Sequence, residues 1–349
     1  MRYGWAIQTA TEEVLTTSAQ LGVRDIIVYG GPGFKFKPGT TEPLKGERAT
    51  YDDYLALRKL LESYGLRLAG FEGGFVTLRQ FHDVVFGGPR RDELIERLLG
   101  EIRDMARAGV PVFGYHWMPN SVWRSDPVRI RGNAEATAFE LGGKGSQAYG
   151  TPDAFPPRAD LSRQSLWRNL EYWIKAATPA AEGAGIRLGI HPDDPPVDEL
   201  GGVPRLLNGF EAYKRLTSIV DSPSNGIEFC QGTFSEMKES ANGGIYEVIR
   251  YFAERKKILY VHFRNVSGTV PKFHEEFINT GYVDMYRAMK TYAEAGFDGV
   301  FMDDHCPYIT NDVEFPGNIG GYRSRIFAQG YLQAMIEAVT KQRQEARAR

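Results

Sequence analysis

Short apolar runs alternate with longer helix-period segments from one end of this 349-residue chain to the other, and that alternation leaves few folds open. The runs fall at 3–7, 25–29, 67–71, 112–116, 187–191, 226–230, 258–262 and 299–303. Segments with helical periodicity occupy 11–21, 51–64, 92–108, 161–182, 209–220, 244–254, 283–295 and 322–341. Glycines at 65, 109, 185 and 296 stand between a helix and the next strand, where a left-handed stop is expected. Strict βα alternation implies a parallel sheet, and eight units close most simply into a (β/α)8 TIM barrel forming one domain over 1–349. A doubly wound open sheet is the competitor. The barrel is preferred because the chemically suggestive residues sit at strand C-termini, where barrel active sites are built.

Four consecutive runs end on a metal-ligand residue type: Ile190-His191, Phe229-Cys230, Val261-His262 and Phe301-Met302-Asp303-Asp304. Side by side, such strands deliver imidazole, thiolate and carboxylate to one end of the sheet. That mixture suits a divalent transition metal better than magnesium or calcium, which prefer oxygen shells. Each residue alone has an ordinary reading, a polar strand end or a buried core cysteine. Alternation along the eighth run places Met302 and Asp304 on one face and Asp303 on the other, so Asp304 is the expected ligand and Asp303 an orienting group. Arg264, two residues beyond His262, shares that ligand's face. It is expected either to grip a substrate carboxylate with paired hydrogen bonds or to bridge to Glu228 or Asp304. His274, in His274-Glu275-Glu276, is expected to complete the pocket, and His305 and Tyr322 to form a proton-transfer pair.

The totals exclude other classes. Lys plus Arg number 42 against 44 Asp plus Glu, for a net charge of −2, which offers nothing to a polyanion. Hydrophobic content of 42% and charged content of 25% are ordinary for a soluble globular protein. Two cysteines make no disulfide framework, and no signal peptide or membrane-length apolar run is visible, so a cytoplasmic protein is expected, possible as a homo-oligomer. Gly142-Gly143-Lys144-Gly145-Ser146 lacks the strand and the hydroxyl residue after lysine that a phosphate loop needs. Gly30-Gly31-Pro32-Gly33 lacks the spacing of a dinucleotide fingerprint. No Gly-x-Ser-x-Gly elbow is present. Long βα connections at about 30–50, 118–160 and 306–321 are read as loop insertions covering the C-terminal mouth of the barrel.

From Gly185 to its last helix the chain resembles the mannonate dehydratases of the xylose-isomerase-like barrel group. The resemblance is carried by His191-Pro192-Asp193-Asp194-Pro195-Pro196, Asp221-Ser222-Pro223-Ser224-Asn225-Gly226, Cys230-Gln231-Gly232, His262-Phe263-Arg264-Asn265, Phe273-His274-Glu275 and Asp304-His305. It implies dehydration of D-mannonate to 2-keto-3-deoxy-D-gluconate with Mn2+ or Fe2+. It places the metal on His191, Cys230, His262 and Asp304 and the acid and base on His305 and Tyr322; substrate contacts are expected of Arg264, Asn265, His274 and His116. The N-terminal half departs from that pattern at Phe71-Glu72-Gly73-Gly74, where a His-Glu pair is expected nearby, and at His116, where the family tends to carry Asn. Those departures concern which sugar acid is read. Two other readings stay open: a metal-dependent sugar isomerase or epimerase on the same barrel, and a sugar-binding protein without activity.

Overall fold

All eight expected strands form, within two residues of their expected ends. They are β1 (Arg2–Ile7), β2 (Asp25–Tyr29), β3 (Arg67–Gly73), β4 (Val112–His116), β5 (Arg187–His191), β6 (Asn225–Cys230), β7 (Ile258–His262) and β8 (Val300–Met302). In this computed structural model, which describes residues 1–145, 147–148, 161–313 and 321–348, they pair as a closed barrel in the order β1-β8-β7-β6-β5-β4-β3-β2. The pairings are parallel throughout. The main helices are α1 (Glu12–Gln20), α2 (Tyr51–Ser63), α3 (Arg91–Arg107), α4 (Arg163–Ala184), α5 (Phe210–Ile219), α6 (Gly244–Glu254), α7 (Met285–Glu294) and α8 (Tyr322–Ala348). Glycines 65, 109, 185 and 296 all adopt the positive φ expected of them. Helix starts are capped by local side chains: Thr11 and Asp284 accept from the backbone three residues on, and Thr50 pairs with Asp53 in a capping box. Among the described residues no helix is long and apolar enough to cross a membrane.

The barrel interior is filled by Ala6, Ile27, Val112, Leu259, Tyr260, Val300 and Met302, while a larger apolar layer joins the outer faces of the strands to the helices. Gly114 on β4 is dictated by this packing. A Cβ there would lie 2.0 Å from the Tyr260 hydroxyl and 2.3 Å from Glu228 Oε2, so any side chain would displace polar groups rising toward the site.

The first part of the 118–160 insertion is built structure. Trp123–Arg129, Glu135–Glu140 and Gln147–Ala148 join Lys272–Glu276 and Asn265–Val266, from the β7–α7 connection, in a five-stranded sheet. Its described pairings are antiparallel. Alternation along Lys272–Glu276 turns Phe273 and Glu275 inward. Phe273 packs on Phe139, ring centroids 5.8 Å apart, within a separate apolar cluster that includes Val266 and Leu200. Residues 146, 149–160 and 314–320, parts of two expected insertions and the Ser146 end of the rejected phosphate loop, lie outside the described residues.

The 30–50 connection is pinned from below. Glu101 on α3 is fully buried, accepting the Gly33 amide at 3.1 Å and the Tyr54 hydroxyl at 2.8 Å. Ala10 N–H donates to the Gly39 carbonyl at 2.8 Å, which holds the far side of the same loop.

Candidate active site

Neighbouring strands end in register. His116 pairs with His191, Cys230 with His262, and His262 with Met302, the residue before Asp303 and Asp304. These ends form the floor of a cavity of about 690 Å³ whose wall includes His116, His191, Glu228, His262, Asp304 and His305, with Glu72 and the 30–41 segment on other sides.

Among the described residues, two groups bring ligand atoms within 4.8 Å of one another: His191, Cys230 and His262, and Glu72, Glu228 and His262. The first is the better metal site. Burial opposes ionisation of Cys230, yet the Arg264 and His191 charges hold its thiol well below the usual value. The Thr233 amide and hydroxyl also reach its sulfur, at 3.4 and 3.2 Å. In the second group, burial first and the Glu72 charge next push the Glu228 carboxyl well up, which works against the carboxylate form a ligand needs.

The imidazoles are oriented for the first group. His191 Nδ1–H donates to the Pro192 carbonyl at 2.6 Å, leaving Nε2 as its electron-pair donor. His262 Nε2 lies 3.0 Å from Glu72 Oε2 and 3.3 Å from Glu228 Oε1, so that nitrogen carries the proton. Its Nδ1 is sealed from water without a formed hydrogen bond, 3.5 Å from Asp304 Oδ2. Burial works against a charge on His191, but the Cys230 thiolate lifts its pKa to about 10. A proton there occupies the place a cation takes in a metalloprotein. For Asp304, burial favours the neutral acid, but His305, His262 and Arg264 hold it well below the carboxylate range. An orphaned imidazole nitrogen facing a thiolate and a carboxylate fits a divalent transition metal.

Arg264 sits against this floor but does not reach the cavity. Its Nε donates to Asp304 at 3.1 Å, Nη1 to Glu236 and Glu275 at 2.9 and 2.7 Å, and Nη2 to Asp194 and Thr233 at 3.2 and 2.9 Å. A guanidinium has five N–H groups, and all are engaged. The carboxylate grip expected of Arg264 is thus replaced by bridges to the protein's own carboxylates. Beside it, Arg124 binds Asp194 in bidentate fashion at 2.6 and 2.8 Å. His305 Nδ1 lies 3.1 Å from Glu275 Oε1 and 3.2 Å from Arg124 Nη2, and its Nε2 is 3.7 Å from Asp304 Oδ2.

The structure therefore brings together His191, Cys230, His262, Asp304, His305 and His116. Burial, with His191 and Arg205, lowers the His116 pKa to about 3, so it presents a neutral imidazole. Three other expected residues are elsewhere. Asn265 is buried, bonding Val266 and the Val283 backbone. His274 pairs with Glu276 on the accessory sheet. Tyr322 begins α8, half-buried against the apolar core, and is not on the cavity wall. Asp303 points away from the cavity and is bound to Arg325 and Gln329 on α8 rather than to any of the expected ligands. Sequence reasoning missed Glu72, Glu275, Glu236 and Arg124. For Glu275 the signal was the alternation around Phe273, and for Glu72 its place at the end of β3; Glu236 and Arg124 carry no local pattern.

The D-mannonate dehydratase (UxuA) family model matches residues 9–145 and 151–346. The chain belongs to the D-mannonate dehydratase family. A mannonate dehydratase of Streptococcus pneumoniae (strain 70585) is 31% identical over 316 residues, covering 84% of each chain. The crystal structure of mannonate dehydratase from Streptococcus suis serotype 2 superposes with a TM-score of 0.81 at 27% identity, over 98% of this chain and 94% of that one. An L-ribulose 3-epimerase structure, 12% identical with a TM-score of 0.57 over 99% and 97% of the two chains, shares the fold alone. D-mannonate dehydratases are hydro-lyases, and membership of that family makes this chain an enzyme of that class.

Proposed function

We propose that the chain converts D-mannonate to 2-keto-3-deoxy-D-gluconate and water, with one Mn2+ or Fe2+ held by His191, Cys230, His262 and Asp304. The observation that carries the reading is the meeting of two oriented imidazoles and a stabilised thiolate, with Asp304 Oδ2 3.5 Å from His262 Nδ1, at the floor of a cavity that His305 also lines. When bound, such an ion acts as a Lewis acid for charge developing on the substrate's oxygens.

The protein's own groups supply the rest. The C2 proton and the C3 hydroxyl leave together as water, and the resulting enol tautomerises to the ketone, so no redox partner is needed. His305 is the proton-transfer residue of this proposal. Its Nδ1 side is held by Glu275 and Arg124, which leaves Nε2 as the exchanging atom. Arg264 acts through others here, keeping Cys230 and Asp304 ionised. His116, neutral by burial, is suited to hydrogen bonds with sugar hydroxyls. Tyr322 is not among the described residues lining the cavity, and His305 alone is assigned a proton in this proposal.

The test is turnover by protein reconstituted with Mn2+ or Fe2+ over a panel of aldonate stereoisomers. A 2-keto-3-deoxy acid from D-mannonate is the expected result, and no such product from any aldonate overturns the reading.

A further inference from the structure

We infer that Lys37, on the β2–α2 connection, recognises the substrate's carboxylate and selects sugar acids over neutral sugars; the inference rests on the dehydratase reading above. An acid entering this cavity meets a wall that is mostly acidic where it is charged, with Glu72, Asp194 and Asp304 on it. Arg264 has no N–H left to offer and Arg124 is bound to Asp194, and neither is on the wall. Among the described residues lining the cavity, Lys37 is the only lysine or arginine.

Its backbone is well placed for the task. Lys37 N–H donates to the Glu42 carbonyl at 2.8 Å, its own carbonyl accepts the Thr40 amide at 3.1 Å, and Leu44 N–H reaches the Lys35 carbonyl at 2.8 Å. This small hairpin is tied to the barrel by Gly33 to Glu101, by Gln80 Nε2 to the Gly33 carbonyl at 2.8 Å, and by Ala10 to Gly39. The ammonium group is paired with Glu42, whose side chain is 57% exposed. An ion pair open to water is weak and readily exchanged for a partner inside the cavity. A lysine on a held backbone with a weak outer partner is therefore poised to turn to a carboxylate guest. Thr40 and Thr41, on the same wall, add hydroxyls suited to a polyol chain.

The test uses steady-state kinetics of the metal-loaded enzyme with D-mannonate, and inhibition by D-mannitol, the neutral polyol of equal chain length. For Lys37→Met, KM for mannonate rises about tenfold or more through loss of a charge-assisted contact, while kcat and the mannitol inhibition constant hold. Lys37→Arg restores most of the affinity, and Glu42→Gln lowers KM by freeing the ammonium group. An unchanged KM for mannonate in Lys37→Met overturns the assignment, as does an equal loss of mannitol affinity. If the unmodified enzyme makes no keto-deoxy acid from any aldonate, the dehydratase reading itself has failed. Normal turnover with an indifferent Lys37→Met variant removes the Lys37 assignment alone.

Discussion

The floor and the mouth of the cavity are held in opposite ways. On the floor, charged and polar groups are buried and each is fixed by several others: Arg264 by Asp194, Glu236, Glu275 and Asp304, and His262 by Glu72 and Glu228. At the mouth, Lys37 has one water-exposed partner, Phe36 is half exposed, and the backbone is tied at a few points. A buried charge stripped of its partner is strongly destabilising, so the floor tolerates little change. The mouth can change a side chain with little effect on folding. Such a division keeps the metal chemistry constant while the substrate preference drifts.

That contrast can be attacked at several points. The largest effect is expected of Cys230→Ala, which removes the soft donor; metal content after dialysis and turnover should both collapse, beyond the ~10–100-fold typical of changing a mere supporting residue. Retention of stoichiometric metal would move the ion to the Glu72 and Glu228 side. His305→Asn should lower kcat by about 10²–10⁴-fold with metal content intact, the range for loss of a general acid or base. An accompanying loss of metal would recast His305 as part of the floor's charge network. Arg264→Met leaves buried carboxylates without their cation and should destabilise the fold by roughly 3–5 kcal/mol, read from urea unfolding. If it folds with normal stability and loses only substrate affinity, the side chain grips substrate after all.

The smallest effect concerns the join between the two regions. Burial raises the Glu101 carboxyl from 4.5 to about 7, against the pull of the Tyr54 hydroxyl, the Gly33 amide and nearby arginines. The native state then binds this proton more tightly than the unfolded chain does. Its contribution to stability is complete below the unfolded value and is lost as pH climbs through about 7. Glu101→Gln should remove that slope, worth on the order of 2–3 kcal/mol, between pH 5 and 8. Equal slopes in urea midpoints for the two proteins would show that the carboxyl titrates normally.

Much of the barrel was legible in the sequence because its signals are local. Strand and helix periods, and glycines such as Gly185 at helix ends, depend on neighbours a few residues away. The strand-end donors were legible for the same reason, since alternation along each strand shows which closing residue faces the mouth. The accessory sheet was not, because Glu135–Glu140 pairs with Lys272–Glu276 across the whole second half of the barrel. Arg264 was half legible. Spacing from His262 gave its side of the strand, but its partners come from segments at 194, 236, 275 and 304 that only tertiary folding assembles. For Tyr322 the resemblance alone supplied a role, since a tyrosine at a helix start carries no local signal of chemistry.

Glu101 belongs to the outer helical layer, yet its carboxylate is the acceptor for an amide in the loop that carries Lys37. The choice of guest is thus mechanically exposed to the back of the molecule. A substitution on α3, which contributes no described residue to the cavity lining, can retune which acids enter without touching the metal ligands, giving evolution a remote dial for selectivity.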